Sequence, residues 1–119
     1  MAIDIEGVKL IIARNIRHIH TVDDVAKRMN VSQETMRKTF YRASQINLSE
    51  FISKIRVERM KQQLLETDES CKVICMDAGS RDDAGGRLLK KLTGMTMGEF
   101  RKRYGNDPAV RDSTMKQKS

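Results

Sequence analysis

The stretch TVDDVAKRMNVSQETMRKTF, Thr21 to Phe40, leaves this chain few folds to choose from. Thr21 and Ser32 are both N-cap residues, and each opens a run whose apolar residues recur at steps of three and four. Asp24, three residues after Thr21, has the position of a capping-box partner. Val22, Val25, Ala26 and Met29 form the stripe of a short helix that stops near Asn30, a residue that tolerates the left-handed conformation. Met36, Thr39, Phe40 and Ala43 face inward from the next helix. Ala26 is small where the two helices must cross. The pattern predicts two short helices joined by a tight turn.

The rest of the chain is helical in the same way. Ile5, Val8, Ile12, Ile16 and Ile19 predict an amphipathic helix over residues 4 to 19. Ser49 is placed to cap a long helix, SEFISKIRVERMKQQLLET, with Ile52, Ile55, Met60, Leu64 and Leu65 as its apolar set. Its nineteen residues would span about 28 Å. A short helix over 70 to 78 ends at Gly79, and a capped turn, TGMT, precedes a last helix, MGEFRKRYG. Aromatics are only 4% of the residues, which argues against a sheet. The expected fold is all-α: two helix-turn-helix subdomains joined by a long linking helix, about seven helices in all. The expected divisions are 1–48 for the N-terminal helix and first subdomain, 49–67 for the linking helix, and 68–105 for the second subdomain. Residues 106–119 lack apolar periodicity and read as a disordered tail.

Charge separates the possible functions. The net charge is +7, and residues 84 to 105 carry six Lys or Arg against one Glu, whereas residues 68 to 83 carry two against five. Locally gathered positive charge points to a polyanion, nucleic acid first. No apolar run approaches the ~18 residues that cross a bilayer, and the acidic start MAIDIEGVKLII does not read as a signal peptide. A cytoplasmic protein is expected. Cys71 and Cys75 are too few for a disulfide framework and read as core residues. No metal site and no cofactor are expected.

The stretch GSRDDAGGRLLKKLTG, Gly79 to Gly94, has the look of a phosphate loop, yet no strand precedes it and no Gly-Lys-Ser/Thr follows. No nucleophile or base cluster stands elsewhere, so the chain does not read as an enzyme. Residues 71 to 94 instead repeat the helix, turn and helix layout, and FYRASQINLSEF (Phe40 to Phe51) is echoed by LKKLTGMTMGEF (Leu89 to Phe100). Two such units on a 28 Å helix would suit major grooves about one turn, or 34 Å, apart.

From Thr21 to Tyr104 the sequence resembles the DNA-binding domain of the AraC/XylS transcription regulators. The resemblance is carried by Ala26, Ser32, Met36, Phe40, Phe51, Arg56, Glu58-Arg59 and LLETDES, and by the closing RLLKKLTGMTMGEFR. Leu89 stands where that family usually has Phe, Met97 where it has Pro, Ser80 where it has Phe, and Gly85-Gly86 near an aromatic pair. By this comparison the second unit is a degenerate copy. Each helical Gly costs about 1 kcal/mol relative to Ala, and each missing aromatic forgoes about 1.5–3 kcal/mol of burial. A loose second unit is the expectation.

The resemblance implies double-stranded DNA as partner. It places Ser32, Gln33, Glu34, Arg37, Lys38 and Arg42 of the first unit, and Arg81, Arg87, Lys90 and Lys91 of the second, at bases or phosphates. Asp82 matches a helix-capping residue, and Arg56 reads as a structural hydrogen-bonding residue. The expected function is a sequence-specific DNA-binding transcription regulator without a ligand-sensing domain, acting as a monomer. The competing reading is a protein-interaction module whose second unit docks on RNA polymerase or another regulator.

Overall fold

The computed structural model describes residues 3–80 and 84–105; Arg81, Asp82, Asp83 and the tail lie outside the described residues. The described residues contain seven α-helices and no strand, as expected: α1 (Ile5–Arg14), α2 (Val22–Met29), α3 (Gln33–Ser44), α4 (Leu48–Glu66), α5 (Cys71–Asp77), α6 (Ala84–Thr93) and α7 (Met97–Phe100). A 3₁₀ turn, Ile16–His18, follows α1, and a π turn, Arg101–Gly105, follows α7. The chain divides into two compact units, up to Ile55 and from Arg56 on, so α4 contributes its first part to one core and its remainder to the other.

In the first unit Val8, Ile12, Ile19, Val25, Met36 and Phe40 are wholly buried, with Leu48 and Ile52 of α4 closing the core. Phe51 leans on Phe40 with ring centroids 5.3 Å apart. The helix expected over 4 to 19 is interrupted at Asn15. Its backbone N–H still makes an i→i−4 bond, to the Ile11 carbonyl at 3.0 Å. His18 and Ile19 then donate only three residues back, to the Asn15 and Ile16 carbonyls at 2.8 and 3.2 Å, which tightens the chain into a 3₁₀ turn. Ile16 and Ile19 still reach the core. Ala43, expected inward, is exposed.

The second unit is built around Met60, Ile74, Ala78 and Leu89, all wholly buried, with Val57, Leu64, Cys75, Met97 and Phe100 beside them. Val57 was absent from the periodic set read for the linking helix. That helix begins at Leu48, one residue before the expected cap, and Asn47 bonds to Glu50 across its first turn (3.3 Å). Ser49 is therefore inside the helix. Arg56 is buried and donates from Nη1 to the Ala78 carbonyl at 2.7 Å. Burial alone lowers its pKa from the usual guanidinium value.

The two units repeat at an offset of 49 residues. Ser44 Oγ donates to the Phe40 carbonyl at 2.7 Å and Thr93 Oγ1 to the Leu89 carbonyl at 2.7 Å. Each hydroxyl also accepts from the backbone N–H two residues on, Ile46 or Met95. Asn30 and Gly79 both turn through positive φ, at 58° and 83°. Val31 N–H then bonds to the Ala26 carbonyl at 3.0 Å, as Ser80 N–H does to the Cys75 carbonyl at 2.9 Å.

This register pairs Ala26 with Cys75 and Met36 with Gly85, which exchanges bulk between the crossing helices. In the first unit the small residue is on α2 and the large one on α3. In the second, Gly85 is buried, and a methyl group there would lie 2.8 Å from Cys75 Sγ and 2.9 Å from Ser80 Cβ. Gly85 fills a position of close helix approach.

Candidate nucleic-acid interface

The second helix of the first unit, α3, is fixed at its start and on one face. Ser32 Oγ accepts from the Thr35 backbone N–H at 3.1 Å, which confirms it as the N-cap. It also donates to Thr35 Oγ1 at 2.9 Å. The preceding helix carries a complete capping box, in which Asp24 Oδ2 accepts from the backbone N–H groups of His20 (2.8 Å) and Thr21 (3.0 Å). The His20 bond is the main reason the Asp24 carboxyl titrates below its usual range, and the Thr21 bonds add to it. Met36 and Phe40 then lock α3 onto the core at 0% exposure.

With that face buried, the opposite face is polar and open. Ser32, Gln33, Glu34, Arg37, Lys38 and Arg42, the six expected first-unit residues, are all exposed. Glu34 and Lys38 form an i,i+4 ion pair at 2.9 Å. An exposed pair of this kind contributes about 0.3–0.5 kcal/mol and is readily exchanged for other partners. Tyr41 on the same helix is also exposed, at 49%, and at the 49-residue offset its counterpart is Lys90.

In the second unit, Arg87, Lys90 and Lys91 are exposed on α6, and Arg81 lies outside the described residues. The offset aligns Gly86, Arg87, Lys90 and Lys91 with Arg37, Lys38, Tyr41 and Arg42. The surface is thus retained as charge, while the Arg37 position has no side chain. Thr96 caps α7 with Glu99 as its reciprocal partner, Thr96 N–H donating to Glu99 Oε1 at 3.0 Å. That bond is the first cause of the lowered Glu99 pKa.

Among the described residues no three His, Cys, Asp or Glu side chains come together as metal ligands, and no helix is long and apolar enough to cross a membrane. What the geometry defines is a helical protein with two capped helix-turn-helix units, each presenting a basic second helix. A family model described as a helix-turn-helix domain matches residues 25–103, and the chain belongs to this family, the AraC-type DNA-binding domain of transcription regulators, which are not enzymes. It is 30% identical over 105 residues to the Msm operon regulatory protein of Streptococcus mutans, covering 87% of this chain and 37% of that one. The chain therefore spans little more than a third of that relative's length. Its fold is similar to the C-terminal domain of AraT, a response regulator from Geobacillus stearothermophilus (TM-score 0.79, 20% identity, 87% and 88% of the two chains covered). It is also similar to the DNA-binding domain of AdpA, a global transcriptional factor, in complex with a target DNA (TM-score 0.77, 17% identity, 87% and 94% covered).

Proposed function

We propose that this chain binds double-stranded DNA sequence-specifically, α3 entering the major groove by its N-terminal end. The observation that carries this reading is that α3 wholly buries Met36 and Phe40 while Glu34, Arg37 and Lys38 on its other side, and Gln33 at its first turn, stay exposed. Arg37 would take guanine bidentately and Glu34 would accept from cytosine N4, exchanging its Lys38 partner for a base. Ser32, Lys38 and Arg42 would hold phosphates. In the second unit Gly86 reads nothing, so Arg87, Lys90 and Lys91 act as a phosphate clamp, and the unit is degenerate as a base reader. The similarity to a domain solved on its target DNA supports the reading. Binding by a monomer in the cytoplasm completes the proposal.

Selection from random duplex DNA, with no small molecule added, followed by a hydroxyl-radical footprint, is the test. Protection at two major grooves about ten base pairs apart supports a clamp by the second unit. Protection over one groove supports the other reading, a second unit that docks on RNA polymerase or another regulator. Exposed Val73 and Met76 on α5 favour that alternative. No enrichment at low salt would overturn DNA binding by either unit.

A further inference from the structure

Three sulfur side chains line one cleft of the second unit. The cleft has a volume of about 810 Å³ and is walled by residues of α5, α6 and α7, among them Cys71, Cys75 and Met97. Cys71 and Cys75 are four apart on α5 and so share a helix face. The Cys75 thiol donates a hydrogen bond to Met97 Sδ, Sγ and Sδ lying 3.4 Å apart. At the 49-residue offset these positions correspond to Val22, Ala26 and Leu48, all buried hydrocarbon in the first unit. The same three places in one architecture are filled by carbon once and by sulfur once. Packing explains a single sulfur well, but it does not require sulfur at three positions lining one cleft that opens to solvent.

We infer that Cys71, Cys75 and Met97 form a binding site for a soft monovalent metal ion, Cu(I) being the cation that fits. Thiolate and thioether donors select Cu(I) over harder ions. Metal–thiolate bonds of about 2.3 Å hold two ligand sulfurs about 3.8–4.0 Å apart in a tetrahedral or trigonal shell. The 3.4 Å gap between Cys75 and Met97 opens to that value by a few tenths of an ångström. The unbranched Met97 side chain accommodates such a shift. Half-buried Cys71 supplies the third sulfur from one turn up the helix. Zn(II) is served less well, because its structural sites take four ligands drawn from Cys, His and carboxylates, and no such group is assembled among the described residues.

The binding step balances simply. Two thiols lose their protons to solvent, two thiolates and one neutral thioether bind one Cu(I), and the centre carries one net negative charge. Lys72, Arg87 and Lys90 line the same cleft and offset it. The ion would tie α5 to the start of α7 beside Gly86, next to the helix that carries the second unit's basic residues.

The test is a titration of the full reduced chain with Cu(I) under anaerobic conditions, in competition with the chelator bicinchoninate. One ion per chain should be withdrawn from the chelator, with two protons released per ion. X-ray absorption of the complex should show three sulfur neighbours at about 2.3 Å. Removing even an outer-shell partner costs about 10–100-fold in metal affinity, so Met97→Leu and Cys71→Ser should each weaken retention at least about tenfold. Met97→Leu nearly conserves volume and Cys71 is only half buried, so unchanged helical circular dichroism separates lost ligation from lost folding. A parent chain that fails to compete, a nitrogen or oxygen shell, or a folded Met97→Leu variant that binds like the parent would each overturn the site.

Discussion

Gly85 and Gly86 are neighbours on α6, yet an added methyl group has opposite consequences at the two. At Gly85 it would stand 2.8 Å from Cys75 Sγ and 2.9 Å from Ser80 Cβ, and the latter, attached directly to backbone, cannot swing away. Overpacking of this kind costs about 1–3 kcal/mol, more than the ~1 kcal/mol that Ala gains over Gly in a helix. Gly85→Ala should therefore lower the denaturant midpoint, and adding Cys75→Ala should recover part of the loss. At Gly86 the nearest atom is Met97 Sδ at 4.0 Å, so Gly86→Ala should stabilise by up to about 1 kcal/mol in the same measurement. Arg56 poses a different problem, since its guanidinium holds the Ala78 carbonyl at 2.7 Å from inside the second unit. Arg56→Met should cost about 1–3 kcal/mol by leaving that carbonyl unsatisfied, read as a loss in urea unfolding free energy.

At the scale of elements, the starts of α2, α3 and α7 were legible, that of α4 was misread by one residue, and the helix crossings were not legible. Thr21, Ser32 and Thr96 each announce a cap through a hydroxyl followed three residues later by a residue whose backbone N–H it accepts, a local relation that sequence displays. The break at Asn15 was hidden because the apolar period of α1 runs on through Ile16 and Ile19 while the ladder shifts to three-residue bonds, His18 to Asn15 and Ile19 to Ile16. Gly85 read as damage because its reason is a contact with Cys75 and Ser80 that local propensity does not show. The exposure of Glu34, Arg37 and Lys38 was legible because the helical period sets them away from Met36 and Phe40, whereas the match of Tyr41 to Lys90 emerges only when the two units are laid over one another. The capping box also predicts a pH response. Asp24 titrates lower in the folded chain than in the unfolded one, so its stabilisation is complete above the unfolded carboxylate pKa of about 3.9 and is lost as pH falls through the folded value. Asp24→Asn should reduce stability at neutral pH and flatten the acid limb of a thermal-unfolding profile below about pH 4, the two proteins converging there.

For the whole molecule, a net charge of +7 makes association with DNA strongly dependent on salt. The two units should separate in how they respond to single changes. Lys90→Ala should weaken binding about equally on all sequences and reduce the slope of log affinity against log salt by about 0.9, as expected for one lost phosphate contact. Arg37→Ala should cost about 1–3 kcal/mol on the selected site and relax preference at one base pair. Fluorescence anisotropy at several salt concentrations on selected and scrambled duplexes checks both. The exchange of bulk between Ala26–Met36 and Cys75–Gly85 bears on how such a chain can change over generations. A mutation that enlarges position 85 is harmful until Cys75 has shrunk and Ser80 has given way, and one that shrinks position 75 first leaves a void. The three sites can drift only together, and a helix transplanted from the first unit into the second would be rejected unless the residues opposite it came along.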